Sequence, residues 1–183
     1  MENIINEHLE VVESMKSLVS KIDLIADVII QAYEDGNKVL IFGNGGSAVD
    51  SEHFTTELVS RFKFDREGLN AISLSSNVAT LTAIGNDYDF DSVYSRQVKA
   101  YANQGDIVIG ITTNGFSPNV IKGLEKAIEL KCIPVLITGN KNIDNEYITL
   151  NINSNNTARI QEAYLLAIHM ICEKVERVLF GEK

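Results

Sequence analysis

Phe42-Gly43-Asn44-Gly45-Gly46-Ser47 follows the apolar run Lys38-Val39-Leu40-Ile41-Phe42 and leads into Ala48-Val49-Asp50-Ser51-Glu52-His53-Phe54-Thr55-Thr56-Glu57. The run reads as a short buried strand. The glycines let the backbone turn sharply and bring N–H groups close to a ligand. Ser47 stands where it would cap a helix that starts there. A strand, a glycine-rich turn and a helix N-terminus together make an anion site, because unpaired N–H groups and the helix dipole point at one place. The helix then carries His53 and Glu57, an i, i+4 pair on one face. The turn is neither G-x-G-x-x-G nor the lysine-containing phosphate loop, so the nucleotide motifs do not apply. By itself it is equally an ordinary turn, and the His/Glu pair is more often only a solvated helix face. The weight falls on the rest of the chain.

Outward from this stretch, strands and helices alternate. Before it, Ile5, Leu9, Val12, Met15, Val19 and Ile22 recur at helical spacing, continued by Ile25, Ile29 and Ala32. Ser20-Lys21-Ile22-Asp23 resembles a capping box, which splits the region into two helices near Val19–Lys21. Gly36 is the expected stop. The first helix has a long apolar stripe that must be buried, on its own domain or on a partner subunit. After it, Arg61-Phe62-Lys63 is expected to end the His53/Glu57 helix with cations, and Arg61 stands two turns past His53, within reach of a substrate oxygen. Asn70–Leu74 reads as the second strand. Asn77 caps a helix over Val78–Ile84, which Gly85-Asn86-Asp87-Tyr88 ends. Asp91–Tyr101 is the next helix.

Asp106-Ile107-Val108-Ile109-Gly110-Ile111 is apolar nearly throughout, as a parallel strand covered on both faces should be. It runs into Thr112-Thr113-Asn114-Gly115-Phe116-Ser117-Pro118-Asn119, where hydroxyls and a glycine again separate strand from helix. Pro118 suits the first helical turn, with Ser117 as N-cap. Val120–Leu130 is that helix, Ile133–Ile137 a strand, Thr138–Asn142 a turn-rich segment, and Tyr147–Ile152 a fifth strand. A long helix closes the chain from Thr157 to about Phe180. The pattern is α/β: a three-layer sandwich around a largely parallel five-stranded sheet, preceded by two N-terminal helices. No linker or repeat divides residues 1–183, which form a single domain. Both hydroxyl- and glycine-rich turns follow strands, so both can lie at the edge where such sheets bind ligands.

The 183 residues allow one sizeable core. A net charge of −9 argues against a general nucleic-acid surface and leaves room for a local anion pocket. Cys132 and Cys172 form no spaced motif and read as buried, reduced thiols of a cytoplasmic protein. No signal peptide or membrane span is expected. In the last helix, Ala163–Cys172 is apolar almost all round, which implies burial on most faces. Gln161, Glu162 and His169 interrupt it, and a polar group there must be hydrogen-bonded, ligated or functional.

Gly43-Asn44-Gly45-Gly46-Ser47, His53-Phe54-Thr55-Thr56-Glu57-Leu58, Gly85-Asn86-Asp87, Ser95-Arg96-Gln97-Val98 and Thr157-Ala158-Arg159-Ile160-Gln161-Glu162 together closely resemble the phosphoheptose isomerases. These are sugar-isomerase (SIS) domain enzymes that convert sedoheptulose 7-phosphate to glycero-manno-heptose 7-phosphate, the first step of nucleotide-activated heptose synthesis. The resemblance covers essentially the whole chain. It implies one zinc ion per subunit held by His53, Glu57, Gln161 and His169, with Glu57 and His169 as base and acid. It implies phosphate contacts from Ser47 and from the turn holding Thr112, Thr113, Asn114 and Ser117. Asn44, Gly45, Gly46, Arg61, Asn86, Asp87 and Gln161 are implied around the substrate. It further implies a homotetramer with shared active sites, in which residues 1–36 serve assembly. The chain departs from the family pattern at Asn114, often serine, at Asn77 and Ala79, at Ala158 and at Tyr164, where histidine is frequent. Another ketose-phosphate isomerase, a phosphosugar-sensing module, or a non-catalytic SIS adaptor of a replication initiator are the competing readings. By resemblance the adaptor lacks the equivalents of Glu57 and His169, which this chain keeps.

Overall fold

The computed structural model describes residues 1–140 and 146–181. Lys141 and Asn142, in the expected turn-rich segment, lie outside the described residues. The helices are α1 (Glu2–Ser14), α2 (Val19–Glu34), α3 (Gly46–Val59), α4 (Val78–Asp87), α5 (Val93–Tyr101), α6 (Pro118–Glu129) and α7 (Thr157–Phe180). The strands are β1 (Val39–Gly43), β2 (Ala71–Ser73), β3 (Ile107–Thr112), β4 (Ile133–Thr138) and β5 (Ile148–Asn151). They form one sheet in the order β2-β1-β3-β4-β5, with every pair parallel.

Side chains alternate across the strands and split the core in two. Val39, Ile41, Ile107, Ile109 and Ile111 pack with α2, α3 and α7 on one face. Leu40, Phe42, Val108 and Leu136 pack with α5 and α6 on the other. This is the expected three-layer sandwich. The strand order reverses between β1 and β3. That reversal is the switch point at which open parallel sheets bind ligands beyond their strand C-termini. Gly43 pairs with Ile111, so the two polar turns leave the sheet side by side.

Several boundaries differ from expectation. The N-terminal break is a 3-10 turn at Met15–Leu18, and no side chain caps α2. The turn arises earlier than the expected Ser20 box; Met15 within it and Ile22 beyond it pack into the same core. Gly45, not Ser47, is the N-cap of α3, with φ 57 and ψ −120. A glycine takes that backbone without strain, so the helix begins one residue before Ser47 and the serine lies inside it. Gly85 does not stop α4, which continues to Asp87. Asn77 does cap α4 through Thr80 N, and Gly36 does follow α2 with φ 79. α3 ends at Val59, so Arg61 stands beyond the helix and is exposed.

Among the described residues, two faces remain uncovered. α1 docks on the start of α7, where Arg159 Nη1 donates to Ile4 O and Asn156 Nδ2 donates to Glu7. Its other side leaves Ile4, Ile5 and Leu9 48–60% exposed. α4 buries none of its ten residues, although Val78, Leu81 and Ile84 are apolar. The last helix is also less enclosed than its composition implies: Leu166 is exposed and Leu165 half-buried.

Candidate active site

α3 and α7 run side by side in the same direction. Ser47 meets Tyr164, Asp50 meets Gln161 and Tyr164, and His53 meets His169. α3 starts in the first polar turn, so its length sets how far each of its side chains stands from that turn.

The imidazoles of His53 and His169 approach edge to face, with Nε2 to Nε2 2.9 Å. One ring therefore donates its Nε2 proton and the other accepts it. Glu57 Oε1 lies 3.7 Å from His53 Nε2, and both side chains remain partly open. Two imidazole nitrogens and a carboxylate oxygen thus converge from sequence positions more than a hundred residues apart. These donor types fit zinc. They are not drawn into a finished metal cage: no group of three or more His, Cys, Asp or Glu stands at ligand geometry among the described residues. Gln161 is placed elsewhere. Its Nε2 donates to Asp50 Oδ2 at 2.7 Å, and it lies over Gly46, where a Cβ would meet the amide nitrogen at 2.5 Å. Eight residues of helix separate it from His169, about 12 Å along the axis.

The first polar turn is braced from behind. Asn44 and Asn119 exchange two amide hydrogen bonds of 2.8 Å, tying this turn to the start of α6. Tyr94 donates its hydroxyl to Gly43 O, and Ser75 Oγ both accepts from Gly43 N and donates to Gly43 O. Ser47 Oγ is 3.1 Å from Tyr164 Oη, which donates to Asp50 Oδ2 at 3.0 Å. Desolvation holds the Tyr164 phenol well above its ordinary value, so it stays protonated. With the Tyr164 proton directed at Asp50, Ser47 is the donor to Tyr164.

The second turn forms a polar cup at the N-terminus of α6. Ser117 is the N-cap but its side chain makes no cap hydrogen bond; its Oγ is 2.8 Å from Thr112 Oγ1. Asn114 Oδ1 accepts from Thr112 Oγ1 and from Phe116 N. Gly115 takes φ 74 within it. Thr113 and Asn114 also line a cavity of about 170 Å³ with Asn140, Ser154, Thr157 and Ile160. Asn86 and Asp87 sit apart, at the exposed end of α4, where Asn86 Nδ2 donates to Asp87 Oδ1.

Sequence reasoning missed Asp50, Asn119, Arg66 and Glu176. Asp50 had a signal, since it stands one turn before His53 on the same helix. Glu176 had one too: it falls in the apolar seam of Ile171, Cys172 and Val175 and is 1% exposed. Burial alone would raise its carboxyl, but the backbone N–H groups of Phe62, Lys63 and Phe64, with Arg66, hold it below the usual carboxylate range. Nothing in the sequence marked Arg66 or Asn119.

Comparison with known proteins agrees with this architecture. Residues 4–139 match the family model described as the SIS domain. A phosphoheptose isomerase of Citrifermentans bemidjiense is 45% identical over 177 residues, covering 94% of this chain and 92% of that protein. The structure of a phosphoheptose isomerase from Neisseria gonorrhoeae superposes with a TM-score of 0.89 at 34% identity, covering 96% of both chains. One from Francisella tularensis gives 0.89 at 33% identity, with the same coverage. Identity at this level over nearly the full length carries the sheet order, the paired turns and the N-terminal helices together, and the chain belongs to the phosphoheptose isomerase family of SIS-domain proteins.

Proposed function

We propose that the chain interconverts sedoheptulose 7-phosphate and D-glycero-D-manno-heptose 7-phosphate through an enediolate. The observation that carries this is the placement of His53, Glu57 and His169 along helices α3 and α7, with α3 leaving an anion turn at the switch point of the sheet. An aldose–ketose isomerisation needs a base for the carbon-bound proton, a proton carrier for the oxygens and stabilisation of the enediolate charge. Glu57 takes the first role and His169 the second. A non-catalytic adaptor would have no use for that pairing. The test is incubation of the pure protein with sedoheptulose 7-phosphate. An aldoheptose phosphate is the expected product, and its absence would return the chain to a binding role.

The phosphate sits over the second turn and Ser47, held by hydroxyls and by the α6 N-terminus. Asn114 presents its carbonyl oxygen to the cup, which repels an anion. Binding therefore turns its amide over, so that Nδ2 faces the phosphate and Thr112 and Ser117 become free to donate. Ser117→Ala removes one of these donors from an anion. Its KM should rise roughly tenfold while kcat changes little. An unchanged KM in steady-state kinetics would remove Ser117 from the phosphate site.

One zinc ion per subunit is part of this reading, with His53, Glu57 and His169 as the residues that would hold it and Gln161 as the fourth expected ligand. It would supply a Lewis acid beside the enediolate oxygens. A carboxylate committed to a cation is a weaker base, so Glu57 serves one role at a time. Arg61, Asn86 and Asp87 stand on exposed segments, so they act on substrate only where a neighbouring subunit completes the pocket. A homotetramer is proposed on that ground and on the uncovered faces of α1 and α4. Light scattering should return four times the 20.2 kDa chain mass, and a stable, active monomer would exclude it. Two free, buried cysteines suit a reducing, cytoplasmic setting. No helix among the described residues is long and apolar enough to cross a membrane.

A further inference from the structure

α3 ends two residues after Glu57, and its last carbonyls have no helical donors. The guanidinium of Arg66 supplies them. Its Nη2 donates to Glu57 O at 2.8 Å, and its Nη1 donates to Leu58 O at 2.8 Å and to Glu67 O at 2.9 Å. Its Nε donates to Glu176 Oε1 at 3.1 Å. Glu176 belongs to α7, seven residues past His169. Its carboxylate also accepts from Phe62 N at 2.9 Å, Lys63 N at 2.6 Å and Phe64 N at 3.1 Å. The segment gathered in this way places the Phe62 ring 5.6 Å from the His169 imidazole, tilted by 33°. Both charged side chains are 2% exposed.

We propose that the Arg66–Glu176 pair is a positioning clamp for the reacting groups, setting the register of α3 against α7 so that Glu57 and His169 both meet at His53. One carboxylate on α7 is tied through Arg66 to the peptide of Glu57. Through the Phe62 peptide it is tied to the ring that flanks His169. A buried ion pair is poor evidence for stability, because apolar side chains of the same volume do as well or better. What apolar side chains cannot do is satisfy three peptide N–H groups and the final carbonyls of a helix at fixed distances. The phosphate turns lie at the opposite end of α3, some 13 residues and about 20 Å away. The clamp therefore acts on the chemical step and not on substrate binding.

The kinetic arm of the test rests on the isomerase reading, and its spectroscopic arm does not. Arg66→Lys keeps the charge but cannot fork across several carbonyls. Phe62→Leu removes the ring and leaves the ion pair. Both should lower kcat on sedoheptulose 7-phosphate by roughly ten- to a hundredfold with KM within about twofold, as misplacement away from the chemistry does. In the metal-free protein, the His169 ring-proton resonances should move in Phe62→Leu. They should move in the same direction in Arg66→Lys, which touches neither ring. A folded Arg66→Lys with wild-type kcat, or with unmoved His169 resonances, overturns the proposal and leaves Arg66 and Glu176 as a loop anchor. If Arg66→Lys does not fold, Phe62→Leu decides: a fall in kcat at constant KM supports the clamp, and wild-type kcat overturns it. If the wild-type protein does not isomerise the sugar, the functional reading fails, and the resonances of Arg66→Lys still decide the clamp.

Discussion

Glu57→Gln is expected to lower turnover by roughly two to four orders of magnitude. The substitution keeps the length and shape of the side chain and removes its ability to accept a carbon-bound proton. Glu57 is well placed to be that acceptor. It is carried by α3, which is anchored at one end in the first polar turn and at the other by Arg66, so its distance from a bound sugar is set by a rigid element. Its carboxylate lies 3.7 Å from His53 Nε2, and His53 is bonded to His169. His169→Gln should do comparable damage under the proposed mechanism, in which one residue takes the proton from carbon and the other serves the oxygens. The double variant should be far from multiplicative, as parts of one machine fail together. Solvent deuterium entering the sugar at C1 or C2 during turnover is the decisive measurement. Near wild-type turnover in either single variant would dissolve the pair and leave His169 as a partner of His53 alone.

Gly43→Ala should cost about 1–3 kcal/mol of stability, since close-packed sites without room for an extra methyl lose that much. A Cβ at position 43 would lie 2.8 Å from Ser47 O and 2.9 Å from Ile111 O. Both are backbone atoms, of α3 and of β3, and neither can swing aside. Relief requires β1 and β3 to part or the turn to open. Thermal denaturation should show Tm lower by roughly 3–10 °C. KM should also rise, because the displaced atoms adjoin the two turns proposed to hold the phosphate. A variant with unchanged Tm and KM would mean that the contact at the switch point is looser than its geometry.

Much of the fold was legible in the sequence for a simple reason. Ile107–Ile111 is apolar at every position because both faces of the sheet are covered, and Pro118 after Ser117 starts a helix wherever the strand before it lies. Both are local facts. Ser47 was misplaced as a cap because the choice between Gly45 and Ser47 depends on a positive φ, which a run of glycines permits without specifying. Arg61 was credited with ending α3, whereas Arg66 supplies the helix carbonyls. That exchange follows from a return of the chain that places Leu69 N on Leu58 O.

By itself, the sequence determined the α/β class, the two polar turns after strands, the His53/Glu57 face and the presence of polar groups in the last helix. It did so because periodicity and turn chemistry are written within one or two turns of chain. Only the tertiary structure decided that β1 and β3 are neighbours, since a buried parallel strand reads the same beside any partner. Only it decided which polar residue on α7 meets which on α3: His169 faces His53 across 116 positions, and Gln161 turns to Asp50. The rotation and register of two packed helices depend on contacts along their whole length. No short stretch of either helix contains them.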